Sequence, residues 1–389
     1  MTSAESDTGP AAGGEDAVEE TAPASPNESS EIAAEDLEAL EEPDPNPEPV
    51  SYTGSDFDAE GLVRRLDRGD IVVPTFGARD ETIETAGFQR SFVWRRPQMD
   101  RFIESLLLGY PVPGIILVQQ ADRRYLVLDG QQRLRTLADF YGGIHRGREF
   151  ALDKVAEHLK GLTYRSLSDE QRRTLDNTFI QATVVRTDGS PSSLEAVYQV
   201  FERLNSGGTQ LTSHEIRVAL YAGPFIELLA EMNRLSEWRD LYGPESPRLR
   251  DQELILRFVA LYVSPGTYAR PLKKYLNDFA GAHRSLGGLQ VESVRDRFET
   301  STRLLLEGPG APALRGRGRQ VNAALTEATF VGLFHRLDAG DPPEPSEVGE
   351  AVASMLQEPE FEAAISRATA DEENVRTRLA VAIRSFAGT

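Results

Sequence analysis

Tyr125-Leu-Val-Leu-Asp-Gly-Gln-Gln-Arg-Leu-Arg-Thr-Leu-Ala-Asp-Phe140 is the stretch whose reading decides the fold. Tyr125 to Leu128 is an apolar run of strand type, Asp129-Gly130 is a turn, and a helix follows. Leu134, Leu137, Ala138 and Tyr141 recur at i, i+3, i+4 and i+7, which is one helical face. Gln131, Gln132, Arg133 and Arg135 therefore fall in about the first turn. That turn carries unpaired backbone N–H groups and the positive end of the helix dipole. A glycine just before it lets a ligand approach the backbone. Strand, tight turn and polar helix start together form an anion-binding arrangement, most often for phosphate. Asp129 adds a carboxylate for a metal ion, and Arg133 a fork for a phosphate. The competing reading is an Asp-Gly turn that merely caps a helix, and the spacing leaves both open.

Outward from this stretch, 389 residues point to two or three folded units. Residues 1–50 hold 15 Asp/Glu and no Lys/Arg; removing them from the 62 acids leaves 47 against 42 bases. Overall acidity argues against a protein that coats DNA non-specifically, while leaving room for a local basic groove. With no cysteine, disulfides, thiolate zinc sites and cysteine nucleophiles are excluded. No apolar run reaches about 18 residues, so no membrane span is expected. The N-terminus lacks the basic and apolar regions of a signal peptide, and the expected location is cytoplasmic.

Residues 1–56 read as a disordered acidic tail, too poor in large apolar side chains to offset its ordering entropy. Solubilising the chain is the plainer role for it; shielding a basic site is the other. Phe57 to Leu66 reads as a short helix and Ile71 to Pro74 as a short strand. A helix has Pro97 in its first turn, keeps Met99, Phe102, Ile103, Leu106 and Leu107 at helical spacing, and stops at Gly109. Gly114 to Gln119 is a strand, turned through Ala121–Arg124 into Tyr125–Leu128. Residues 142–175 are mixed, and Phe179 to Val185 is another strand. Ser192-x-x-Glu195 and Thr212-x-x-Glu215 are capping-box patterns; Leu194, Val197, Phe201 and Leu204 mark the buried face after the first. Beyond 212 the periodicity is helical throughout, with Gly/Pro loops between segments. The expected architecture is α+β: a small mixed module over 57–210, then an all-helical domain over 211–389.

Two more groups carry polar chemistry. In Phe88-Gln-Arg-Ser-Phe-Val-Trp94, Arg90 can reach a phosphate and Phe92 or Trp94 can stack on a base; the aromatics read more simply as core. In Phe201-Glu-Arg-Leu-Asn-Ser-Gly-Gly-Thr209, the loop from Asn205 either donates hydrogen bonds to phosphate or ribose or is only a helix C-cap. The five histidines show no metal-ligand spacing, and no HExxH, GxSxG or GxxxxGK[ST] occurs. Arg315-Gly-Arg-Gly-Arg319 reads as an exposed, flexible basic loop.

Taken in order, Phe88-Gln-Arg-Ser-Phe-Val-Trp94, Gly109-Tyr-Pro-Val-Pro113, Leu128-Asp-Gly-Gln-Gln-Arg133 and Phe201–Glu215 resemble the N-terminal domain of the GmrSD type IV restriction enzymes. The resemblance covers roughly residues 70–225. It implies a ParB/sulfiredoxin-like fold and a nucleotide-binding, NTP-hydrolysing module linked to sensing modified DNA and restricting phage DNA. Asp251–Arg257 and Asn322–Glu327 look like the helical region that follows it in stand-alone members. By position, Asp129, Gly130, Gln131, Gln132 and Arg133 match the family's active-site motif. Gln89 and Arg90 match its upstream motif, and Asn205 its downstream one. Longer members end in an HNH nuclease; the C-terminal half here has no His-Asn-His arrangement, so no HNH cut is expected.

The resulting expectation is a nucleotide-dependent component of a bacterial restriction or anti-phage system. Asp129, Gln132 and Arg133 are its catalytic residues; Gln89, Arg90, Gly130, Gln131 and Asn205 bind the nucleotide. Asp129 holds Mg²⁺, Arg133 and Arg90 stabilise charge in phosphoryl transfer, and Gln132 orients the attacking water. Expected partners are a nucleoside triphosphate, DNA and a nuclease or other defence protein. The alternatives are a non-catalytic DNA- or nucleotide-binding module that recruits a nuclease, and a ParB-like enzyme that nicks DNA at the same turn.

Overall fold

The computed structural model describes residues 49–74, 94–204 and 211–388. Gln89, Arg90, Asn205 and the acidic tail through residue 48 lie outside these, and so do Phe88 and Phe92. In chain order the first elements are β1 (Tyr52–Asp58), α1 (Ala59–Asp67), β2 (Ile71–Val72), α2 (Arg96–Leu107), β3 (Ile115–Gln119) and β4 (Tyr125–Asp129). Then come α3 (Gln131–Gly142), the short strands β5 (Ile144–His145) and β6 (Arg148–Glu149), α4 (Asp169–Asp176), β7 (Phe179–Arg186) and α5 (Pro191–Leu204). The chain continues in helices: α6 (Ser213–Leu220), α7 (Pro224–Asn233), α8 (Ser236–Tyr242), α9 (Arg250–Val263), α10 (Leu272–Ala282) and α11 (Val291–Glu307). It ends with α12 (Pro312–Arg315), α13 (Ala323–Ala339), α14 (Pro345–Met355), α15 (Pro359–Ser366) and α16 (Glu372–Phe386).

Five strands form one mixed sheet in the order β1-β7-β3-β4-β2. β1 and β7 are antiparallel, β7 and β3 parallel, β3 and β4 antiparallel, and β4 and β2 parallel. The central strands are continuous apolar runs because both faces of the sheet are covered, so successive side chains enter different cores. Ile115, Leu117 and Val127 pack with Leu62, Ile103, Leu134 and Phe140 from α1, α2 and α3. Val118, Leu126 and Leu128 point the other way, into the core of the helical half. The mixed α+β architecture expected from the sequence is the one found, and the sheet's second face is continuous with the packing of the later helices.

Several local expectations need correction. Tyr52–Asp58 is a strand, so ordered structure starts before residue 57, within the expected tail. The helix expected from Phe57 begins at Ala59, capped by Asp58, whose Oδ1 accepts from Gly61 N–H at 2.6 Å. β1 is an edge strand with little buried on either face, so it leaves no alternation to read. The Ser192…Glu195 box does not form: the helix starts at Pro191, and Ser190 Oγ accepts from Ser193 N–H at 3.3 Å. Glu195 is buried instead, accepting from Asn277 Nδ2 at 2.9 Å. Leu204, expected on the buried face, is exposed. The second box does form: Glu215 N–H donates to Thr212 Oγ1, and Thr212 N–H to Glu215 Oε2. Arg315 is no loose loop residue, since it donates to the carbonyls of Leu241 and Tyr242. Trp94 follows the core reading, edge-on to Phe102 at 5.5 Å between ring centroids.

The helical half is built round Trp238, Phe258, Phe298 and Phe330; Phe258 and Phe330 stack at 4.3 Å. A buried ionic chain runs beside this core. Arg217 Nε donates to Asn277 Oδ1 at 2.8 Å, and its Nη1 to His214 Nδ1 at 3.1 Å and Glu253 Oε2 at 3.5 Å. Arg257 Nη2 donates to the other oxygen of Glu253 at 2.9 Å, and its Nη1 to Glu327 Oε1 at 3.4 Å. Arg378 continues the chain to the second oxygen of Glu327. Each guanidinium faces a carboxylate, the condition under which charges survive away from water.

Candidate anion site at the end of strand β4

β4 ends at Asp129, and the next residue turns the chain into α3. Gly130 has φ 98°, the left-handed region that other residues enter only at a cost. A Cβ there would also sit 2.4 Å from Ile115 Cγ2 on the neighbouring strand. Two independent constraints thus require glycine. Lacking a side chain, Gly130 caps none of the N–H groups of the first turn of α3. Leu134, Leu137 and Phe140 bury one face of α3 and fix its roll, while Ala138, expected on that face, is only half-buried.

Arg133 ties the turn together. Its Nη2 donates to the carbonyl of Gly114, just before β3, at 2.8 Å and to Asp129 Oδ2 at 2.8 Å. Its side chain is 14% exposed against 54% for Asp129, so the guanidinium is largely enclosed and the carboxylate faces solvent. Arg133 Nε is buried and has no hydrogen-bond partner among the described residues. Gly114 is itself constrained, because a Cβ there would meet the Gln181 carbonyl of β7 at 2.6 Å. Gln132 Oε1 accepts from Trp94 N–H at 3.3 Å, and its own carbonyl accepts from Thr136 Oγ1 at 2.7 Å. β2 runs parallel to β4, so the chain leaves β2 toward the Gly130 end of the sheet and re-enters the described structure, at Trp94, on Gln132.

Asp129, Gly130, Gln131, Gln132 and Arg133 therefore gather at one end of the sheet. Gln89, Arg90 and Asn205 fall outside the described residues; the helix that precedes Asn205, α5, packs against β4. Sequence reasoning missed the Gly114 carbonyl and the Trp94 N–H. Both are backbone groups brought in by tertiary pairing, which side-chain patterns do not record. Asp129 stands as a single carboxylate, and among the described residues no group of three or more His, Cys, Asp or Glu side chains could hold a metal ion. A magnesium ion is commonly held by one or two carboxylates with phosphate oxygens and water completing the shell, so Asp129 fits such an ion only with a phosphate ligand present.

No curated protein matches the chain, and no solved structure matches it. No helix among the described residues is long and apolar enough to cross a membrane. The family model of the GmrSD restriction endonuclease N-terminal domain matches residues 75–222. That span contains β3, β4, the Gly130 turn, α3, β7 and α5. Residues 75–222 belong to the N-terminal domain family of the GmrSD restriction endonucleases.

Proposed function

We propose that the chain is a component of a bacterial DNA restriction or anti-phage system, and that its GmrSD-type segment binds and hydrolyses a nucleoside triphosphate at the Gly130 turn. The observation that carries this reading is the left-handed, side-chain-free N-cap of α3 beside Arg133 and Asp129. First-turn N–H groups that the N-cap residue leaves uncapped, at a helix start of this length, attract phosphate oxygens. The enclosed Arg133 adds a fixed positive charge beside the turn.

Hydrolysis forms a bond from a water oxygen to the terminal phosphorus and breaks the bridging P–O bond. The products are a nucleoside diphosphate and inorganic phosphate. Positioning and charge stabilisation carry most of such a reaction. In this reading Asp129 would hold Mg²⁺, which when bound would supply charge that neutralises phosphate oxygens. Gln132, held by Trp94, orients the water with the remaining polar positions of its amide. Arg90, Gln89, Gln131 and Asn205 complete the nucleotide contacts, and a ParB-like relationship of the sheet belongs to the same proposal. DNA and a partner nuclease are the expected macromolecular partners.

A second reading is favoured by the Arg133–Asp129 pair itself. If the two stay locked together, the turn binds phosphate without turnover, and the helical half recruits a nuclease. Phosphate release from ATP, GTP, CTP and UTP with Mg²⁺, with and without DNA, separates the readings. Release supports hydrolysis and identifies the base. Saturable binding without release supports the recruiting module. Mg²⁺-dependent relaxation of supercoiled plasmid, lost in Asp129→Ala, would instead support nicking at this turn.

A further inference from the structure

Tyr110 is an aromatic side chain that the fold holds in place without burying. Its backbone N–H donates to Ser105 O at 2.8 Å, just after Gly109 closes α2 in the left-handed region at φ 72°. A residue at this position past a helix end commonly packs its side chain back on the last turn. Tyr110 instead remains 60% exposed, and the preceding Leu108 40%. Pro111 and Pro113 restrict the backbone that follows, and Val112 between them packs on the core beneath the sheet. The ring is thus presented on a stiff rim.

That rim borders the candidate site. The loop from Tyr110 runs directly into Gly114, whose carbonyl accepts from Arg133, and then into β3, where Ile116 pairs with Asp129. Gly114 follows Tyr110 by four positions, so their Cα atoms are at most about 14 Å apart. We propose that Tyr110 stacks on the base of the nucleoside triphosphate whose phosphates occupy the Gly130 turn, making it a specificity-determining residue. This rests on the nucleotide reading given above. A solvent-facing aromatic face provides stacking for any base at little ordering cost, because its own backbone is already fixed.

The test uses the full chain with Mg²⁺ and compares binding of ATP, GTP, CTP and UTP with binding of inorganic triphosphate, which has phosphates but no base. The variants are Tyr110→Ala and Tyr110→Phe; exposure of the side chain leaves the fold intact in both. Tyr110→Ala is expected to weaken the preferred nucleotide about 10-fold, within the range that stacking contributes. Tyr110→Phe should stay within about twofold of wild type because the ring face is kept. Inorganic triphosphate should bind all three proteins equally. The proposal is overturned if Tyr110→Ala binds nucleotide as wild type does or if it weakens inorganic triphosphate equally. Wild type that binds neither nucleotide nor triphosphate refutes the nucleotide reading itself, an outcome distinct from the others.

Discussion

Arg133 reaches across from α3 to the carbonyl oxygen of Gly114 with a 2.8 Å hydrogen bond, joining the helix start to the start of β3. The same Nη2 also donates to Asp129. The residue best suited to hold a phosphate is therefore also a fastener of the turn. Removing it deletes a charge-assisted bond and leaves the Gly114 carbonyl short of a donor. Arg133→Ala is expected to cost about 2 kcal/mol in urea unfolding. Asp129→Asn, at an exposed carboxylate, should cost under about 1 kcal/mol. Equal losses in the two variants would contradict this division of roles.

Gly130 faces two penalties on substitution, one from its backbone angle and one from Ile115. Gly130→Ala should lower stability by roughly 2–4 kcal/mol, more than the roughly 1–3 kcal/mol of a strained backbone angle alone. Gly142, in the last turn of α3, is the contrast, because a Cβ added there would meet nothing within 4 Å. Gly142→Ala should be neutral or stabilising by up to about 1 kcal/mol. Denaturant midpoints of the two variants decide the matter.

Burial, reinforced by the Arg217 charge, depresses the His214 imidazole to about 3. Arg217 Nη1 donates to its Nδ1, which needs the neutral ring. The unfolded chain takes up a proton on this histidine near pH 6.5, while the folded chain does not. Stability is therefore full above about pH 6.5 and falls as pH drops toward 3, by up to about 1.4 kcal/mol per unit from this group. Burial pushes Glu253 upward, but Arg257 and Arg217 outweigh it and leave its pKa below the ordinary carboxylate value. Its contribution is lost only at more acid pH, through that lowered value. Unfolding measured between pH 7 and 5 thus separates His214 from Glu253, and the slope there should shrink in His214→Gln. An unchanged slope would contradict a buried neutral imidazole.

Arg257 lies between Glu253 and Glu327 with all three side chains almost fully buried. Arg257→Met leaves both carboxylates without this partner, and a loss of about 3–5 kcal/mol is expected. Chemical denaturation measures it. A loss below about 1 kcal/mol would place the charge network outside the stability of the helical half.

The strand–turn–helix at Tyr125–Phe140 was legible in the sequence because each part has its own local signal: an apolar run, an Asp-Gly turn and a helical stripe. The same holds for the helical periodicity beyond 212, of which α10, Leu272–Ala282, is one example. β1 was illegible because its pairing with β7 supplies what its side chains do not. α7, α8 and α15 lie within the region whose periodicity reads as helical, but as short helices of 7 to 10 residues they leave no separate limits to read. At the site, the Asp129–Arg133 cluster could be read because it is contiguous. Its fastening to Gly114 and Trp94 could not, since it depends on backbone atoms distant in sequence. Glu195 misled for a related reason: a capping spacing in the sequence is spent on Asn277 in the core.

The most direct measurement of the central claim is Mg²⁺-dependent phosphate release by wild type and Asp129→Asn, each with its thermal melt. Asp129 faces solvent, so this substitution separates chemistry from folding better than any change at Arg133. The account predicts release by wild type from at least one nucleoside triphosphate, and a loss of roughly 100-fold or more, the scale of removing one electrostatic stabiliser, in a variant that melts like wild type. Equal release by the two proteins, at matched stability, would contradict catalysis at the Gly130 turn.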